Sequence, residues 1–155
     1  MKDLYSIFFK YYLILVFILF LWLIHFLNYY FVLNLHELGV FPRSLEGLIG
    51  VFFSPLIHSS SDHNHIINNS VPFLILGWAL FYFYSPIAWR VLFFSWIFTG
   101  LLVWLSARDA YHIGLSGVIY SLLFFLFFSG VFRKDTRLLT VALLVVFIYG
   151  SMVWG

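Results

Sequence analysis

The chain has 155 residues, of which 64% are hydrophobic, 24% aromatic and 9% charged, with a formal net charge of +2 and a mean hydropathy of +1.04. Soluble domains run near half apolar and a quarter charged, so this composition excludes a water-soluble globule of this length and requires a bilayer as solvent. The small net charge leaves no footprint for nucleic acid, and the absence of cysteine excludes disulfides, thiolate metal sites and a cysteine nucleophile.

Five segments are apolar and long enough to span, since about 20 helical residues cross the hydrocarbon: residues 11–33, 65–84, 88–106, 112–132 and 138–155. The first follows the basic residues Lys2 and Lys10, as in a signal peptide. It is too long for a signal-peptide core and no small-x-small cleavage site follows, so it is read as a retained signal-anchor helix. None of the segments alternates with period two, and a spanning barrel needs many strands that do. The expected fold is an all-α, polytopic membrane helical bundle over residues 1–155.

Between the first two spans lie residues 34–64, where FPRSLEGLIGVFFSPLIH breaks short apolar runs with Pro42, Pro55 and two glycines. This stretch is expected to be a structured loop lying in the membrane interface, and long loops with their own structure often carry function. The later connections SPIAW, SARDAY and RKDTR are tight turns. Lys2, Lys10, Arg90, Arg133, Lys134 and Arg137 fall on one side of the membrane, and only Arg43 and Arg108 on the other. The positive-inside rule then puts the N-terminus in the cytoplasm, probing outward with residues 34–64. Integration into a bacterial inner (plasma) membrane is the expected localisation.

Two polar motifs interrupt these spans. YHIGLSGVIY, residues 111–120, sets Ser116 between Gly114 and Gly117. This is not the G-x-S-x-G elbow of soluble hydrolases, because position 118 is Val, and small clusters in membrane helices usually serve packing. HNHIINNSVPFLILG, residues 63–77, places His65 and Asn69 four apart. On a helix they stand about 40° apart on neighbouring turns. An imidazole N–H and an amide NH₂ on one face are suitable donors to a developing oxyanion, and the Ser116 amide could add a third. The alternative for these polar residues is a helix start, where they satisfy free backbone groups.

Taken together, the two motifs resemble those of the rhomboid family of intramembrane serine proteases. The family's H-x-x-x-N with a later glycine is matched by His65, Asn69 and Gly77, and its G-x-S-G by Gly114, Ser116 and Gly117, with Tyr120 one turn on. The likeness covers residues 40–155. It implies a six-span bundle and cleavage of transmembrane protein substrates by a Ser–His dyad. In that dyad Ser116 is the nucleophile, and His65, Asn69 and the Ser116 amide hold the oxyanion. Tyr120 supports the base, and Gly117 admits a neighbouring helix. No cofactor is implied.

The family's base is a histidine on the sixth helix, whereas none of the six histidines here follows His112. The chain stops at GSMVWG after an apolar run. We therefore expect a sixth helix and its histidine beyond residue 155, and expect the 155 residues alone to be inactive. His112 is expected one turn before Ser116 on the same helix, its ring leaning away toward the interface. His25, beside Asn28, reads as a satisfied core residue, and His36 as a loop residue. Two departures concern the outer loop: His58 lies seven positions before His65 rather than five, and the loop lacks the family's Trp-Arg pair.

Rival readings are a metal site on His58, Asp62, His63 and His65, which lacks the further histidine boxes of membrane metalloenzymes, and a transporter, which would need repeats or intramembrane charges. The strongest rival keeps the fold: a catalytically inactive rhomboid-like protein that binds transmembrane clients.

Overall fold

In lipid, a backbone must close its hydrogen bonds within its own segment, which favours helices. The computed structural model describes the backbone of residues 2–150 and the side chains of residues 9–150. Its helices are α1 (Lys2–Phe31), α2 (Gly50–Phe53), α3 (His63–Tyr84), α4 (Ala88–Ser106), α5 (Ser116–Arg133) and α6 (Thr136–Tyr149). Short 3₁₀ turns occupy Leu35–Leu38, Glu46–Ile49 and Ser54–Leu56. Among the described residues, four segments are long and apolar enough to cross a membrane: Phe9–Phe31, His63–Tyr84, Ala88–Ser106 and Ser116–Arg133. The chain is thus a multi-pass membrane bundle, as its composition requires. The fifth expected span is helical for 14 residues, about 21 Å, and its expected end at residues 151–155 lies outside the described residues.

Local chemistry sets the helix ends. The Asp62 carboxylate accepts the Asn64 amide at 2.9 Å, which starts α3 two residues before the expected position. Asp135 does the same for α6 by accepting the Arg137 amide at 3.0 Å. The Arg137 guanidinium also binds this carboxylate and holds its pKa below the usual carboxylate range. α1 stops at Phe31, where Val32 and Asn34 take φ of 50° and 54°.

One expected boundary is corrected. The fourth span does not begin at His112, and His112 is not on α5. Its N–H and C=O are taken by Val40 in an isolated antiparallel bridge, at 2.8 and 2.9 Å. Gly114 then turns the chain with φ +106°, a conformation that side-chain-bearing residues rarely adopt. Only at Ser116 does α5 begin.

α3 is the centre of the bundle and packs against α1, α5 and α6, while α5 also packs on α4 and α6. Leu76 and Leu80 of α3 meet Leu122 and Leu126 of α5 and Leu138 of α6 in one continuous buried core. The long connection between α1 and α3 does have structure of its own, and it is fastened to α4. The Arg43 amide donates to the Trp104 carbonyl at 2.9 Å, the Trp104 indole returns a bond to the Ser44 carbonyl at 2.8 Å, and the Trp96 indole reaches the Phe52 carbonyl at 3.0 Å. The Arg43 guanidinium also pairs with Asp109 beyond the end of α4. These bonds hold the loop against the segment that precedes Ser116.

Candidate active site

Ser116 opens α5 and lines a cavity of about 190 Å³. Its walls include the loop between α1 and α3 (Val40, Ser54), α4 (Thr99), the turn before α5 (His112, Gly114), and Gly117 and Tyr120 of α5. The turn is anchored by the Gly114 amide, which donates to the Ser54 carbonyl at 2.9 Å.

The start of α5 leaves donors open. Leu115 caps the helix without a side-chain bond, and the first amide to reach a carbonyl is that of Ile119, on Leu115 at 3.1 Å. The amides of Ser116, Gly117 and Val118 are therefore the orphan donors of a helix N-terminus, where the helix dipole also favours negative charge.

His65 reaches this turn from α3. A Cβ added at Gly114 would stand 2.6 Å from His65 Nε2, so the glycine makes room for the imidazole as well as for the backbone turn. His65 Nδ1 accepts a long bond, 3.4 Å, from the Ser59 amide, which leaves the proton of the neutral ring on Nε2, the nitrogen facing Gly114. Asn69 sits deeper. It is fully buried, its Nδ2 donates to the His65 carbonyl at 2.7 Å, and its Oδ1 has no partner. Neither His65 nor Asn69 forms part of the cavity wall. Tyr120, one turn below Ser116, does line the cavity, and its buried hydroxyl has no partner among the described residues. Gly117 faces α4: a Cβ there would meet Thr99 Cβ at 3.2 Å. Gly77 lies against Ile14 of α1.

Among the described residues the other histidines make no bond to Ser116, and neither ring nitrogen of His58 is hydrogen-bonded. His58 is 1% exposed and packs edge-on to His65 with ring centroids 5.1 Å apart. Burial, and then the neighbouring His65, push its pKa down to about 3, so the ring is neutral. His25 and His63 share a hydrogen bond of 2.7 Å, though His25 Nδ1 has no partner, so His25 is a core residue only partly satisfied. His36 packs edge-on to Tyr111, with ring centroids 6.0 Å apart. His112 Nε2 lies 3.0 Å from the Arg108 carbonyl. His112 lines the cavity rather than a helix face above Ser116. The proposed metal cluster is dispersed: Asp62 caps α3, His63 turns to His25 and His58 to His65, and no metal-competent group of three forms among the described residues.

Sequence reading missed Ser54, Thr99 and Val40 as parts of the cavity. Ser54 is adjacent to a proline in the loop, a turn signal that could have drawn attention, but no local pattern indicates which carbonyl the Gly114 amide will find.

Uncharacterized proteins of Mycobacterium tuberculosis and Mycobacterium bovis are each 32% identical to the chain over 149 residues, covering 92% of it and 61% of their own length. One from Mycobacterium leprae is 31% identical over 130 residues. The chain thus spans about three fifths of the first two relatives. No solved structure matches it significantly. The model of the Rhomboid domain matches residues 45–155, and the chain belongs to the rhomboid family.

Proposed function

We propose that the protein is an intramembrane serine endopeptidase that cleaves transmembrane proteins. The observation that carries this reading is the placement of Ser116 in a cavity, at a helix start with open amides, with His65 against the same turn. In the proposed reaction Ser116 Oγ attacks a peptide carbonyl while a base takes its proton. The carbonyl oxygen becomes an oxyanion held by the open amides and by His65 Nε2–H, with Asn69 behind His65. The base returns the proton to the departing amine, and water then hydrolyses the acyl-enzyme. A substrate helix must unwind to expose its carbonyl, which favours small or helix-breaking residues at the cleaved bond.

Among the described residues no imidazole is hydrogen-bonded to Ser116, and the base is assigned to a histidine outside these 155 residues, packed on Tyr120. The N-terminus is assigned to the cytoplasm and the cavity to the outer side. The lack of a bond from any described imidazole to Ser116 favours a second reading, a non-catalytic family member that binds transmembrane clients.

The test uses the product of the complete gene in membranes and a serine-directed fluorophosphonate. The proposal expects labelling that Ser116→Ala abolishes without a change in thermal unfolding. Labelling that survives the substitution, or a complete gene without a further histidine, would favour the client-binding reading. Cytoplasm-only accessibility of a probe at Ser61 would reverse the topology.

A further inference from the structure

Residues 107–115 connect α4 to α5 and carry the chain into the turn that presents Ser116. Among the described residues, every hydrogen bond that this connection makes outside itself and the two helices ends on the loop between α1 and α3. Val40 takes both backbone groups of His112, the Ser54 carbonyl takes the Gly114 amide, and the remaining bonds come from Arg43. Arg43 Nη1 donates to the Ala107 carbonyl at 2.9 Å, and Nη2 donates to the Asp109 carboxylate. No other residue of the loop bonds residues 107–110 among the described residues. The first half of the connection therefore depends on one side chain.

Arg43 is itself held in an uncommon shape. Its φ of 56° lies in the left-handed region, which residues with side chains seldom adopt. Such strain persists only where the surroundings over-determine it, and it gathers at functional sites. Here the Arg43 amide donates to the Trp104 carbonyl at 2.9 Å, so the last turn of α4 fixes the backbone from which the guanidinium reaches. The same loop also touches α3, through the Ser59 amide and His65 Nδ1 at 3.4 Å. One loop thus holds His65 on one side and the turn before Ser116 on the other. The ion pair is open to water, its side chains 49% and 75% exposed, so it adds little to global stability. Reactivity is more sensitive to placement, since a shift of about 1 Å can cost on the order of 10²-fold in rate.

We propose that Arg43 is a positioning residue for Ser116: its guanidinium, forked between the Ala107 carbonyl and Asp109, fixes the connection and so sets where Ser116 stands against His65. The role in reactivity rests on the protease reading, whereas the clamp on the connection can be measured without it.

The experiment follows fluorophosphonate labelling of Ser116 in the product of the complete gene, with hydrogen exchange of residues 107–116 and the unfolding midpoint measured alongside. Arg43→Gln should slow labelling at saturating probe roughly tenfold. The half-saturating probe concentration and the midpoint should hardly move, while exchange across the connection speeds up. Asp109→Asn should slow labelling less, because the Ala107 bond stays. The double variant should be no slower than Arg43→Gln alone, as expected of two groups in one interaction. Arg108→Gln, which removes an exposed charge from the same connection, should label as wild type does. Unchanged labelling or unchanged exchange in Arg43→Gln would overturn the proposal, as would losses that add in the double variant or a midpoint that falls in step with labelling. A wild-type protein that never labels would end the protease reading instead, and the exchange would still decide whether Arg43 holds the turn.

Discussion

α3 and α4 are neighbours in sequence, similar in length and each apolar enough to span, yet they sit differently. In the most apolar stretch of α3, 56% of residues are buried, against 17% for α4. Polarity accounts for the difference. α3 carries His65, Asn69, Ser70 and Pro72, and Asn69 and Ser70 are buried together with Leu76 and Leu80. Ser70 is held there by bonds on both sides, accepting from the Trp22 indole at 3.1 Å and donating to the Ile66 carbonyl at 2.7 Å. Pro72 lacks an N–H, so the Asn68 carbonyl loses its helical bond as well. Groups of this kind are costly in lipid and turn inward. α4 has fewer of them and presents Phe93, Phe94, Phe98, Leu102 and Leu105 outward. In a bilayer, polar content rather than apolar content identifies the central helix.

The comparison can be broken most directly by truncating one leucine on each helix. Leu76 of α3 is 0% exposed and Leu102 of α4 is 61% exposed. Lipid tails are as apolar as leucine, so the transfer contribution nearly vanishes and the cavity contribution dominates. Leu76→Ala should destabilise by about 2 kcal/mol, whereas Leu102→Ala should stay within about 0.5 kcal/mol of wild type. Unfolding in mixed micelles measures both. Equal losses would show that burial does not separate the two helices.

The same contrast explains what could be read from the sequence. Long apolar segments announce helices because an intramembrane backbone has few alternatives, and the two polar motifs stand out against that background. Where α5 begins was not legible. Hydropathy continues smoothly from His112 into Leu115, while the helix waits until Ser116 because the His112 backbone pairs with Val40, 72 positions earlier. The docking of the loop between α1 and α3 was also hidden. It depends on Arg43 meeting Trp104 and Asp109, pairings that leave no periodic trace. Gly114 was noticed as part of a motif, but its positive φ and its closeness to His65 come from the folded turn alone.

A pH experiment sharpens the view that polar groups on the α3 side are packed in uncharged form. Burial, followed by the neighbouring His65, holds the His58 pKa near 3, against about 6.5 in an unfolded chain. The unfolded state therefore takes the proton first. The stability contributed by the neutral ring is present above about pH 6.5 and is lost as pH falls toward 3, at about 1.4 kcal/mol per unit. His58→Phe should flatten the dependence in this window relative to wild type. An unchanged slope between pH 6.5 and 4.5 would mean that the ring is protonated in place.

The smallest effect is expected where α4 does touch the bundle. Gly117 lies in the first turn of α5 and meets Thr99 of α4, whose Cβ would stand 3.2 Å from an added methyl group. Two contributions oppose each other in Gly117→Ala. Alanine gains up to about 1 kcal/mol in helix propensity over glycine, and it also fixes a residue that carries one of the open amides. Against this, the contact with Thr99 requires the helices to separate by a few tenths of an ångström, and tight packing resists such a shift. Thr99 is tied to its own helix, its hydroxyl donating to the Ser95 carbonyl at 2.7 Å, so it cannot turn aside without losing that bond. The net change in stability should be below about 1 kcal/mol in either direction. The cavity responds more than the stability does, because Thr99, Gly117 and Ser116 share its wall. Under the protease reading, fluorophosphonate labelling at Ser116 should slow in the complete protein while the unfolding midpoint hardly moves. A variant that unfolds much earlier would make Gly117 a packing glycine for α4 and return this face of α5 to an ordinary helix contact.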